Sequence, residues 1–269
     1  MGLFNFLKSK IKAEEDAPTA PPIIEGIILL EDEYMVHWTS VLQELRDVWG
    51  CTVGEPLGIQ EFTWFVEVDG YKIGIASHST PFQQEGLQKA IPYSYFWDNA
   101  AQEVKSHRAH IVLCILHTGI NPFRENMIFT KVVATVLRHT RSIGFFLPAR
   151  WLLRNKKSYL EVADQIAGGF FPLFNWILFV GIPDKTTNNN SYYTVGLSDF
   201  NKKEIEVDGS LQPTRDLSEV IIEATWYVLS RDEVLKDGES ITLPGGSVDI
   251  EVSKPALFML DRDTVKLLC

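Results

Sequence analysis

The chain lacks most of the signatures that name a chemistry. Its 269 residues hold three cysteines, Cys51, Cys114 and Cys269, too few and too widely spaced for a disulfide framework or a CxxC pair. That usage points to a reducing compartment, the cytoplasm. No run of about 18 apolar residues occurs, so a transmembrane helix is not expected. The most hydrophobic stretch, Phe170 to Gly181, is too short to span. A GxSxG elbow, a phosphate-binding GxxxxGK[ST] loop and a GxGxxG turn are all missing, and Gly168-Gly169 and Gly245-Gly246 lack the lysine and hydroxyl residue that a phosphate cradle needs. Positive charge is also scarce. With 25 Lys+Arg against 35 Asp+Glu the formal charge is -10, the wrong sign for neutralising nucleic-acid phosphates. A basic or a neutral partner fits better, and no cofactor is implied. No internal repeat appears at periods of about 20 to 50 residues.

What is present is apolar and aromatic: 45% of residues are hydrophobic and 12% aromatic, enough for a sizeable core. Met1 to Lys12 (MGLFNFLKSKIK) interleaves Leu3, Phe4, Phe6, Leu7 and Ile11 with three lysines, the composition of a short basic segment able to lie on an anionic membrane surface. A frayed start or a docking helix is the simpler explanation. Glu14 to Pro22, with three acids and three prolines, reads as a linker closing a flexible tail over 1–22.

Folded structure is expected from Ile23. IIEGIILL (Ile23 to Leu30) reads as a buried strand, and the apolar spacing from Trp38 to Trp49 as a helix stopped by Gly50. Trp64, Val66 and Val68 alternate, Asp69-Gly70 supplies a tight turn, and Tyr71, Ile73 and Ile75 resume the alternation, a hairpin signal. A short helix near Trp97 to Val104 precedes the strand HIVLCIL (His110 to Leu116), and Asn121-Pro122 opens a further helix. SIGFFL (Ser142 to Leu147) reads as a strand and Ser158 to Ile166 as a helix. These elements predict an α+β first half over 23–167, a split βαβ (ferredoxin-like) arrangement with helices on one face of an antiparallel sheet. From 168 to 269 the pattern is β-rich, with a hairpin around Pro244-Gly245-Gly246 and one long helix that Asp216 and Glu219 are expected to cap. The sheets should be mixed or antiparallel. No linker separates the halves, so one composite domain fits as well as two.

Six histidines are available for chemistry: His37, His78, His107, His110, His117 and His139. His107-x-x-His110 with Cys114 and His117 resembles a ligand set, but His110 and Cys114 share one face of a strand while His117 faces the other, so no metal site is expected. His78 is the catalytic candidate. It ends the second hairpin strand within the polar run Ser77 to Pro81, where loops leaving a rigid sheet often carry sites, although a solvated turn histidine reads the same way. The stretch Pro92 to Trp97 packs four aromatics, Tyr93, Tyr95, Phe96 and Trp97, into six residues. Such side chains suit either a protein-binding surface or the core. Trp151 with Arg150, Arg154, Lys156 and Lys157 is a second candidate contact patch.

Three separated stretches carry a resemblance. AAQEVKSHRAH leading into IVLCIL, YTVGL (Tyr193 to Leu197) followed by EIEV (Glu204 to Val207), and LKDGESI (Leu235 to Ile241) are similar to the bacterial domain-of-unknown-function family numbered four-two-six-one. The YTVGLS…EIEV stretch also resembles the Suppressor of Fused domain, a family that in bacteria is associated with immunity proteins of polymorphic toxin systems. Neither family implies a catalytic residue. What the resemblance implies is a protein that works by binding another protein, such as an acidic immunity protein or adaptor facing a basic toxin. The alternatives are a hydrolase or transferase centred on His78 and a peripheral membrane adaptor using residues 1–12.

Overall fold

The computed structural model describes residues 23–33, 36–60, 62–83, 85–116, 121–184, 186–254 and 263–269. The basic segment and linker over 1–22, and His117, lie outside the described residues. The chain forms two compact units, Met1–Asn175 and Trp176–Cys269. Among the described residues seven helices and thirteen strands build one sheet in each unit, an α+β architecture with mostly antiparallel pairing.

In the first unit the order of elements is β1 (Ile23–Leu30), α1 (Trp38–Asp47), β2 (Leu57–Gln60), β3 (Thr63–Val68), β4 (Tyr71–His78), α2 (Glu85–Ala90), α3 (Ala100–Ser106), β5 (Ala109–Leu116), α4 (Pro122–Arg138), β6 (Ser142–Leu147), β7 (Leu152–Asn155) and α5 (Lys156–Ala163). Its seven strands lie in the order β2-β3-β4-β5-β1-β6-β7. Asp69 and Gly70 make the expected tight turn, with φ of 50° and 84°, and Val68 pairs with Tyr71. α4 opens as the sequence predicts: the Asn121 side chain accepts the Arg124 N–H at 2.9 Å and Pro122 occupies the first turn.

The order departs from a split βαβ. A crossover helix joins parallel strands, yet β4 and β5 are antiparallel neighbours with His78 opposite His110. Residues 79–108, which contain α2 and α3, leave the sheet and return at the same end. They are the long connection of a hairpin, not a crossover. That connection covers the sheet face bearing Ile27, Leu29 and Phe146 with Leu87, Ala90, Trp97 and Val104. On the opposite face Gly26 lets the Phe145 ring cross β1 beside Phe129 of α4. Both faces are therefore covered, not one, and the unbroken apolar run of β1 follows directly: Ile27, Ile28 and Leu29 are wholly buried. Fully burying each such side chain contributes about 1.5–3 kcal/mol.

The chain passes through the one-turn α6 (Leu173–Trp176) into β8 (Leu178–Pro183), β9 (Asn190–Val195), β10 (Ile205–Ser210), α7 (Thr214–Arg231), β11 (Ser240–Leu243), β12 (Gly246–Ser253) and β13 (Thr264–Leu268). The second sheet has the order β11-β12-β13-β10-β9-β8, with β10 and β13 its parallel pair. The long helix α7 lies against β8, β9 and β10 and buries Leu217, Ile221, Ala224 and Val228. Its expected cap is not used. The helix begins at Thr214 behind Pro213, with no side-chain cap bond, and Glu219 pairs with Arg215 one turn away. Pro213 fixes its own φ and starts the helix two residues before Asp216.

Candidate functional site

The strand register of the first unit brings the end of β1, the end of β4 and the start of β5 together: Leu30 lies opposite Ala109 and His78 opposite His110. α1 begins beside them, because only a short connection separates Leu30 from Trp38. A cavity of about 1100 Å³ opens there, bounded by Trp38 and Leu42 of α1, Trp64 of β3, and Ser77 and His78 of β4. The two indoles meet edge to face, with ring centroids 4.5 Å apart at 72°. At the rim stands Phe62, a bulky residue held at φ 69° and more than half exposed. Aromatic residues rarely occupy the left-handed region, and such strain concentrates at functional sites.

His78 stacks on His110, its register partner, at 4.6 Å and 14° between planes. The His110 ring donates from Nδ1 to the Thr80 carbonyl at 2.7 Å and meets Phe82 edge-on at 5.2 Å. Burial pushes the His110 pKa down to about 4 and lowers that of His78. Both rings are therefore neutral at neutral pH, which lets two imidazoles stack without charge repulsion. His107 is a peg of another kind. Its Nε2 accepts the Phe82 N–H at 2.8 Å, which leaves the proton on Nδ1 facing the Val104 carbonyl. His107 thus ties Phe82 to the end of α3 and His110 ties Thr80 to β5; both are structural, and among the described residues no group of three His, Cys, Asp or Glu side chains could hold a metal.

The chemistry of the cavity is neutral. Among the described residues no lysine or arginine lines it, and one carboxylate, the exposed Glu33, does. No hydrogen bond from an acid to His78 or His110 is formed among the described residues, so nothing orients His78 as a general base in the way a carboxylate-His pair does. The buried thiols offer no nucleophile either: burial pushes Cys51 up to about 11 and Cys114 up to about 12, so both stay protonated.

The aromatic segment separates by exposure. Trp97 is buried in the core under Gly144 of β6 and donates its indole N–H to Glu103 at 2.9 Å. Tyr93 is half-buried against Trp151, with centroids 6.1 Å apart. Tyr95 and Phe96 stay outside, 53% and 59% exposed. Phe96 is nevertheless fixed: the Arg154 guanidinium lies 4.6 Å over its ring and Asn155 donates to its carbonyl at 2.6 Å. The basic patch expected around Trp151 does not form as such. Arg150 is buried and donates to Asn126 at 2.6 Å, while Arg154 is buried and makes two bonds to the Phe174 carbonyl. Their guanidiniums satisfy interior acceptors and do not face solvent.

In the second unit the YTVGLS…EIEV stretch has a structural meaning. Glu204 is 3% exposed; its carboxylate accepts the N–H groups of Gly196 at 2.9 Å, Leu197 at 3.2 Å and Ser198 at 3.1 Å, and the Thr194 hydroxyl at 2.8 Å. The motif is a buried carboxylate seated in the turn after β9. Burial pushes its pKa up and the four donors oppose that. Glu206, also buried, accepts from Thr264 at 3.2 Å and faces Lys266 at 3.9 Å across the parallel pair.

Sequence reasoning isolated His78 but missed Trp38, Trp64 and Phe62. Trp38 and Trp64 read as core positions of a helix and a strand, and only the fold shows them converging on one opening.

These features define an α+β protein of two sheet units, the first holding a neutral, aromatic-walled cavity and the second built on a carboxylate-filled turn. The family model described as Domain of unknown function (DUF4261) matches residues 193–267, from within β9 to within β13, and that stretch of the chain is similar to this family. No curated protein and no solved structure matches the chain.

Proposed function

We propose that this chain is a non-enzymatic protein-binding protein of the bacterial cytoplasm, an immunity protein or adaptor that engages a basic partner such as a secreted toxin. The observation that carries the reading is the exposed Tyr95–Phe96 pair, in which Phe96 is held by Arg154 over its ring and by Asn155 at its carbonyl. Aromatic side chains fixed before association supply contact area at low entropic cost, the pattern of an interface anchor. The net charge of -10 would steer a basic partner toward it, and three free cysteines suit a reducing compartment. The test compares wild type with a Tyr95→Ala/Phe96→Ala double variant as bait in the native host, read by quantitative mass spectrometry. A stoichiometric basic partner that falls at least about tenfold in the variant, about 1.4 kcal/mol of affinity, supports the reading. No stoichiometric partner, or one indifferent to the variant, refutes it.

A hydrolase or transferase centred on His78 is the second reading, favoured by the cavity beside it. Turnover of ester or glycoside probes that disappears in His78→Gln would establish it.

A further inference from the structure

Beyond protein binding, we propose that the cavity at the end of the first sheet, between α1 and the β3–β4 hairpin, is a binding site for an uncharged saccharide. Size comes first: about 1100 Å³ lies just above the usual range for small-molecule sites and leaves room for several sugar rings.

Charge narrows the class. With no lysine or arginine among the described lining residues, a phosphate, sulfate or carboxylate ligand would be desolvated without a counter-charge, which is costly. The remaining surface has two parts. The exposed Phe62 and the half-buried Trp64 supply apolar ring surface, on which the C–H faces of a sugar can lie, while Trp38 is buried against Trp64. Thr39, Thr63, Ser77, Ser79 and Thr80 add hydroxyl-bearing residues to the same lining. None of the five hydroxyls forms a hydrogen bond within the described residues, and neither do the ring nitrogens of His78, so each still has donor or acceptor capacity. Hydroxyls and a neutral imidazole, interchangeable as donors and acceptors, match a ligand that is itself dense in hydroxyls. The strained Phe62 at the rim fits a side chain held outward to cover a ligand.

The test uses the full chain at pH 7, with maltotriose, cellotriose and chitotriose as probes and adenosine and glucose 6-phosphate as contrasts, read by calorimetry and saturation-transfer NMR. At least one trisaccharide should bind, glucose 6-phosphate should not, and Phe62→Ala and Trp64→Ala should each weaken binding by about tenfold. Phe62 is a surface residue, so its variant keeps the test valid if Trp64→Ala fails to fold. Tyr95→Ala should leave saccharide binding unchanged, which separates this site from the protein-binding surface. Binding of none of the three trisaccharides, preference for adenosine or glucose 6-phosphate, or saccharide binding unaffected by Phe62→Ala overturns the proposal.

Discussion

Replacing Glu204 with glutamine tests whether the buried acid of the second unit is structural. The change preserves shape and removes charge, and one of the two oxygens becomes an NH₂. Turned one way, the amide sets its NH₂ against the Gly196 and Ser198 N–H groups; turned the other way, it faces the Leu197 N–H and the Thr194 hydroxyl, which can rotate and accept from it. A buried donor left without an acceptor costs about 1–3 kcal/mol, and the second orientation confines the loss to one, the Leu197 N–H. The desolvation of the carboxylate, which raises its pKa in the folded state, is relieved in the variant and offsets part of that. The expected net loss is about 1–2 kcal/mol. Urea unfolding of the full chain should show a lower midpoint at unchanged slope for the transition that includes this unit, and amide exchange should accelerate at residues 196–198. A loss below about 1 kcal/mol, with those amides as protected as in wild type, would refute the assignment.

Three other outcomes follow from the packing and the buried histidine. His110 titrates near 4 in the folded chain and near 6.5 when unfolded; between those values the unfolded chain takes up a proton that the folded chain refuses, so stability should fall as pH drops from about 7 to about 4 and level off below. His110→Gln should flatten that part of the pH profile, measured by thermal unfolding. Gly144→Ala should destabilise by about 1–3 kcal/mol or more, because a Cβ there would sit 2.6 Å from the Trp97 ring and against the Arg154 carbonyl; calorimetry checks it. Asn121→Ala should cost about 1 kcal/mol through loss of the α4 cap, and Asn121→Asp should retain most of that stability in the same urea assay.

The difference between what was readable in the chain and what was not follows residue by residue. Periodicity placed β1, α1, β3, β4, β5, α4 and β6 because each buries a face of fixed period, and Asp69-Gly70 and Asn121-Pro122 marked their boundaries because turns and caps are local chemistry. The short strands β2 and β7 escaped notice, since four residues carry too little pattern to distinguish from a loop. β4 and β5 were placed as strands, but their antiparallel neighbourhood was not. An α-helical connection of 79–108 looks the same in sequence whether the chain crosses over or returns. The Pro213 start of α7 was obscured by Asp216 and Glu219, which satisfy the capping pattern at the wrong turn.

The sequence by itself determined the class of the protein and the character of its elements: α+β, acidic, cysteine-poor, with no helix among the described residues long and apolar enough to cross a membrane. Those properties are sums or short-range patterns, and a linear chain carries them. Tertiary structure alone decided which aromatics are exposed and which are core, since Tyr95, Phe96 and Trp97 are adjacent in sequence and differ only in what the fold lays over them. It also decided that His78 stacks on His110 and that Trp38, Trp64 and Phe62 share an opening. Those meetings depend on strand register and on the return of one long connection, and pairings between distant residues are fixed only when the whole sheet closes around them.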